Sequence, residues 1–511
     1  WFLMDNPDLL STESERIRRS RLVTFEELHE QRERIRSISG RSGGRRRSSS
    51  IRRHNANIRS LWACGVGAVI SGDYFGWNSA LTAGYGGTLL FLTLVITFYT
   101  LLTNAVAEMV TRIPEVGGAY TFAVVGCGRF WGFLVGVAET VKMISITGAI
   151  VCSISDYAVS SDFWLYHFLV WVAFLTPLVI LNSLGVTFSF QMAITLASVF
   201  LLVGFYVGSF FVADFTEYAI GDGWFVDGFD GVLEGLPFIL WFFVGIEELP
   251  LTVEEVADPL YDMPRAISAA MATLAVLALL TVTLSCSVSP GTVGFISVNA
   301  PLLAGYEAVF GSTGLIIDVL SVLTITGLVC SLHSFIYFSG QIVYSMALDS
   351  LYPQMFAQTS INYDTPIFAL VLMSLSSLAL LTVMILYFGV DGLISVLLAL
   401  GIFVSVFSYI VQFFAFIQLR NSSDQPKKFY SSPFGKTGAC FGIIFGILTL
   451  MCLIYLSSTN TEYAAALIFG SVVLAGSLIY YRIKLWPKLK KKAANGAENL
   501  IETGSSAPTT T

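Results

Sequence analysis

The stretches CGVGAVISGDYFGWNSALTAGYGG (Cys64–Gly87) and GLPFILWFFVGIEELPLTVEEV (Gly235–Val256) decide the fold. Each is apolar enough to enter a bilayer, and each is broken. In the first, Gly65, Gly67, Gly72 and Gly76 are spread through one block around a central Asp73. In the second, Pro237, Gly245 and Pro250 bracket the pair Glu247–Glu248. Proline removes a helical N–H and disfavours helix in the residue before it. Unpaired backbone groups are costly in hydrocarbon, so a broken membrane helix must line a protected cavity. Gly/Pro-interrupted segments at matching places in two halves of a chain point to a transporter's binding site.

The rest of the chain agrees with a membrane setting. Of its 511 residues, 55% are hydrophobic and only 12% are charged. A soluble domain carries about 25% charged residues, so most of this surface must face something other than water. With about 20 apolar residues needed per span, twelve blocks are expected, near 58–86, 88–111, 129–155, 164–183, 187–211, 232–256, 265–289, 313–346, 366–388, 392–419, 437–457 and 462–483. The two broken blocks are the first and the sixth, five apart. That spacing implies two inverted repeats of five helices, about 58–211 and 232–419, followed by two extra helices at about 437–483.

Charge sets the orientation. Lys and Arg mark the cytoplasmic side. Loops holding Arg112, Arg129, Arg265, Arg420, Lys427, Lys428 and Lys436 fall on one side, while loops 156–163, 212–231, 290–312, 389–391 and 458–461 hold no Lys or Arg. Both termini are therefore expected in the cytoplasm, with the plasma membrane as the default. Residues 1–57 are Arg- and Ser-rich and read as a disordered basic tail, as do residues 486–511 at the other end. The N-terminal tail is suited to anionic lipid, at about 1 kcal/mol per basic residue near the surface. The seven cysteines fall mostly within apolar blocks and are expected as free thiols.

Three stretches carry a family resemblance: ISGDYFGWN (Ile70–Asn78), AEMVTRIPEVGGAY (Ala107–Tyr120) and FFVGIEELPLTVEEVADPLYDMPRAI (Phe242–Ile267). Together they resemble the amino acid–polyamine–organocation superfamily. The resemblance implies an all-α membrane protein of 12 transmembrane helices with the LeuT-type fold, over residues 58–485. The form ISGDYFGWN is most similar to the ethanolamine permease branch. Some features depart from the family. Relatives have Arg where this chain has Gln341 and Leu348, and some proton-coupled relatives have a Lys in the fifth helix, where this chain has none. Relatives that pair with a heavy chain use a Cys after the third helix; the loop SDYAVSSDFW lacks one, so no disulfide-linked partner is expected.

Candidate residues follow from both readings. Around the breaks, Ile70, Ser71, Gly72, Asp73, Tyr74, Phe75, Trp77, Phe243, Val244, Gly245 and Glu247 are expected to bind substrate. Asp73 would repel a carboxylate and favour an amine without one; the alternative is that it only caps the half-helix. Aromatic faces attract ammonium groups by roughly 0.5–2 kcal/mol, although apolar helices carry aromatics in any case. Glu247, Glu248, Glu139 and Lys142 are intramembrane ionisable residues and so candidates for proton coupling. Glu139 and Lys142, three apart, share a helix face and read equally as a structural pair. Ser331 and Ser334 are candidates for a sodium site, or for helix packing. The coupling ion, H+ or Na+, stays open, and no cofactor, metal or nucleic-acid partner is expected. No nucleophile–base pair stands out, so the chain reads as a secondary transporter rather than an enzyme. Its expected substrate is a small ethanolamine-like amine; the alternatives are a neutral or cationic amino acid, or a sensor that keeps the fold.

Overall fold

The computed structural model describes residues 25–39, 56–158, 163–221, 223–226, 228–360, 363–389, 392–421 and 430–487. The Ser/Arg-rich run 41–53 and the Lys cluster from 488 onward lie outside the described residues.

The described elements are helical. They are α1 (Phe25–Ser39), α2 (Ile58–Val69), α3 (Gly84–Arg112), α4 (Gly118–Cys127), α5 (Arg129–Ala158), α6 (Trp164–Ser183), α7 (Thr187–Val212) and α8 (Gly228–Trp241). They continue as α9 (Pro259–Cys286), α10 (Pro301–Phe310), α11 (Leu315–Leu323), α12 (Ile325–Leu348), α13 (Ile367–Phe388), α14 (Leu393–Asn421), α15 (Gly435–Thr459) and α16 (Thr461–Tyr480). Short helical turns fill the two breaks. Among the described residues eleven helical runs are long and apolar enough to cross a membrane, one fewer than the twelve blocks expected. The shortfall is the first block itself. Its break leaves α2 only 12 residues long, about 18 Å at 1.5 Å per residue.

Sequence chemistry explains the helix starts. Asn57 opens α2 with a reciprocal cap: its Oδ1 accepts from the backbone N–H of Ser60 at 3.1 Å, and Ser60 Oγ accepts from the Asn57 N–H at 2.8 Å. Pro259 and Pro301 sit at the first turns of α9 and α10, where no N–H is needed. This start places Arg265 inside α9 rather than in the loop before it. The eighth block is also not one helix, because α11 and α12 meet at Thr324.

The tail holds a larger correction. Residues 1–57 read as disordered by composition, yet Phe25–Ser39 forms a helix whose Leu28 and Arg32 are buried. Net polarity hid a two-residue face, four apart, that packs on the carrier.

The core is built around α5. It packs against α14, α12 and α4, while α9 packs against α3 and α2, and α7 packs against α2. The helices that carry the breaks are enclosed by this ring, whereas α6 and α16 present the most apolar side chains outward.

Candidate functional site

The first break runs from Ile70 to Gly76. A single turn, Ser71–Tyr74, is followed by extended Phe75 (φ −155°) and left-handed Gly76 (φ +82°), then by a 3-10 helix, Trp77–Ala83. The second runs from Phe242 to Gly245 (φ +113°) and leads into a 3-10 helix, Ile246–Glu255. The two breaks touch. A Cβ on Gly72 would lie 2.9 Å from Phe242 Cα and 3.2 Å from the Trp241 carbonyl oxygen. Trp241 Nε1 donates to the Phe75 carbonyl at 3.1 Å. The Ser71 N–H donates to Ser331 Oγ at 3.0 Å, and that hydroxyl donates to the Gly67 carbonyl at 2.9 Å. Tyr157 donates to the Tyr74 carbonyl at 3.0 Å. Side chains from other helices thus satisfy backbone groups that the breaks release, as a low-dielectric setting demands.

Asp73 sits in the first break and is 1% exposed. Its Oδ1 accepts a 2.7 Å hydrogen bond from Thr281 of α9, whose hydroxyl lies 2.7 Å from that of Tyr206 on α7. The residues that open the two neighbouring helical turns are Ile70 and Gly76, and neither makes a side-chain cap bond. Among the described residues no Lys, Arg or His forms an ion pair with it.

The aromatic residues divide. Phe75 packs edge-on against Trp241 at 5.3 Å, Trp77 lies against Phe242 at 6.1 Å, and Phe243 faces Tyr99 at 5.3 Å. Tyr74 turns away from the second break, its hydroxyl donating to the Ser198 carbonyl on α7 at 2.8 Å. Val244 and Gly245 line the second break; the ring of Phe335 comes to 2.8 Å of where a Gly245 Cβ would stand.

The four coupling candidates come together in one buried cluster. Lys142 Nζ on α5 lies 2.5 Å from Glu139 Oε2, donates to Glu247 Oε1 at 3.0 Å and also donates to Glu248. Glu247 further accepts from Tyr409 Oη at 2.7 Å and, on its other oxygen, from the Gly245 N–H at 2.9 Å. Tyr99 lies 3.3 Å beyond Tyr409, and Ser408 donates to Glu139. Three carboxyls meet one ammonium in a site that excludes water.

Polar contacts tie α7 to α2 and to α12. Thr195 donates to the Ala63 carbonyl at 2.9 Å, and Gln191 reaches Cys330 and, at 2.7 Å, His333. Ser331 is engaged with backbone on both sides, and Ser334 is buried beside it.

The sequence profile of the family described as amino acid permease matches residues 61–494. The chain belongs to this family. The permease is 26% identical to an uncharacterized transporter of Rhizobium meliloti over 83% of its own length and 90% of that chain. It is 24% identical to the lysine-specific permease LysP of Lactococcus lactis over 80% of its length and 84% of that chain. Against cationic amino acid transporter 4 of Homo sapiens it is 25% identical over 62% of its length, spanning about half (53%) of that protein. The crystal structure of the Eremococcus coleocola manganese transporter matches 85% of this chain with a TM-score of 0.53 at 13% identity, which speaks to the fold alone. The permease is thus a transporter and not an enzyme, and it has the expected all-helical fold with interrupted helices.

Tyr409, Tyr99 and Ser408 escaped the sequence reading. A signal existed for two of them. Ser405, Ser408, Tyr409 and Gln412 recur at i, i+3, i+4 and i+7 in an otherwise apolar helix, and all four are buried.

Proposed function

We propose that this permease carries a small ethanolamine-like primary amine by alternating access, with the ammonium group held at Asp73. The observation that carries the reading is Asp73 itself: a buried carboxylate in a helix break, with a hydroxyl but no cationic side chain beside it among the described residues. Buried charges are ordinarily paired, and a substrate ammonium supplies the missing partner. Ile70, Ser71 and Gly72 precede it in the same break, while Phe75, Trp77 and Phe243 pack around the junction of the two breaks. Tyr74 braces the turn from the other side.

Glu247, Glu248, Glu139 and Lys142 form a separate unit. Lys142 already answers Glu247, so this cluster suits proton exchange better than amine capture. In this reading it stands in for the helix-five lysine that the chain lacks. Both termini and the helix ends bearing Arg112, Arg129 and Arg420 lie in the cytoplasm, with the plasma membrane as the location.

A second reading takes a cationic amino acid as substrate. The names of the Lactococcus and human relatives, a lysine permease and a cationic amino acid transporter, favour it. Asp73 would then receive the side-chain ammonium. Uptake into proteoliposomes decides between them. Radiolabelled ethanolamine that accumulates and is not displaced by excess lysine supports the first reading; lysine uptake that ethanolamine does not compete with replaces it by the second.

A further inference from the structure

Helix α1 places one side chain inside the carrier. Its outward face carries Glu26, Glu27, Glu30, Glu33 and Arg34, all exposed, while Leu28 and Arg32, one turn apart, are buried. Arg32 is 0% exposed. Its guanidinium makes a two-point contact with Asp349, Nε to Oδ1 at 3.1 Å and Nη2 to Oδ2 at 2.8 Å. It also donates to the Val116 carbonyl at 2.6 Å, to Ser345 Oγ at 3.1 Å and to Thr121 Oγ1 at 3.2 Å. Glu115 lies 3.6 Å away and also pairs with His29 of the same helix at 2.5 Å. Burial disfavours the Arg32 charge, but Asp349 outweighs it and the guanidinium is held above its ordinary range.

The groups that receive Arg32 are also tied to one another. Ser345 and Thr121 both donate to the Val116 carbonyl, at 2.9 and 3.0 Å, and Tyr120 donates to Asp349 at 2.6 Å. Gly117 is required for the fit: at φ +126°, a Cβ there would lie 2.2 Å from Thr121 Oγ1 and 2.3 Å from Ser345 Oγ. Planar guanidinium with five donors matches this set of acceptors, whereas a lysine ammonium reaches only part of it.

The walls come from two parts of the fold. Residues 115–121 join α3 to α5; Ser345 lies in the last turn of α12 and Asp349 follows it. Alternating access opens the face that we place inside. We propose that this face holds a guanidinium-binding site, occupied by the chain's own helix α1, and that Arg32 clasps the segment 115–121 to the end of α12 until α1 withdraws. The clasp is an inner gate whose key belongs to the N-terminal segment and not to the two segments it joins. The word gate rests on the alternating-access reading, but the test below reads the clasp directly and stands whatever the substrate proves to be.

The test is hydrogen–deuterium exchange on the full-length protein in lipid nanodiscs, comparing wild type with Arg32→Ala and Arg32→Lys. Arg32→Ala is expected to speed amide exchange at least tenfold in segments 113–121 and 345–357, and Arg32→Lys by a smaller factor. Segment 291–310, on the opposite face, is expected to keep its wild-type rate in both. Wild-type rates at 113–121 and 345–357 in both variants would overturn the clasp. So would an equal acceleration at 291–310, which would make α1 a general stabiliser rather than a local gate.

Discussion

Gly72 is where the two breaks meet, and its role is steric. A methyl group there would press on the Phe242 Cα and the Trp241 carbonyl, both backbone atoms that cannot rotate away. Overpacking of this kind costs about 1–3 kcal/mol. Gly72→Ala is therefore expected to lower the melting temperature and abolish uptake, whereas Gly476→Ala, with nothing within 4 Å of the new methyl, leaves both unchanged. Lys142 gives a second prediction at this scale. Removing one partner of a buried ion pair costs about 3–5 kcal/mol, so Lys142→Met is expected to be severely destabilising. Adding Glu248→Gln to that variant relieves part of the stranded charge and recovers part of the melting temperature. If Lys142→Met melts like wild type, the cluster is not the ionic unit described. Asp73, Glu247 and Lys142 were legible in the sequence because a charge in an apolar block is conspicuous. Arg32 was not, because one arginine among the many of the tail carries no sign that it is buried.

Among the elements, the interrupted first span depends on its neighbours for hydrogen bonds. Ser331 of α12 serves both the Ser71 N–H and the Gly67 carbonyl. Ser331→Ala leaves two buried backbone groups without that partner, at about 1–3 kcal/mol for each unsatisfied group. A fall in melting temperature of the purified protein checks this, and an unchanged value would show that water or another side chain takes over. The break positions were readable from glycine and proline spacing. The partners that complete the breaks were not, since Ser331 and Tyr157 are remote in sequence. The α12 terminus shows the same limit. Asp349, which follows it, pairs with the guanidinium of Arg32 on α1, 317 residues away in the sequence.

For the whole molecule, the membrane class and the two-break architecture followed from composition and patterning. Among the described residues the twelve expected spans became eleven continuous ones, because the first block is interrupted between Ile70 and Gly76. Ser331 is engaged with backbone, and the neutral Gln191 and Thr195 fill the contact between α7, α12 and α2. With the charged residues gathered instead around Lys142, uptake in proteoliposomes is expected to persist when sodium is replaced by N-methylglucamine and to collapse with a protonophore. Sodium-dependent uptake would move coupling to Ser331 and Ser334. The central claim is that Asp73 holds a substrate ammonium. The most direct test is thermal stabilisation of the purified permease, since a ligand that binds only the folded state raises its melting temperature. Ethanolamine is predicted to stabilise wild type and to lose that effect in Asp73→Asn; stabilisation that survives the substitution, or that only a neutral amino acid such as alanine provides, would contradict it.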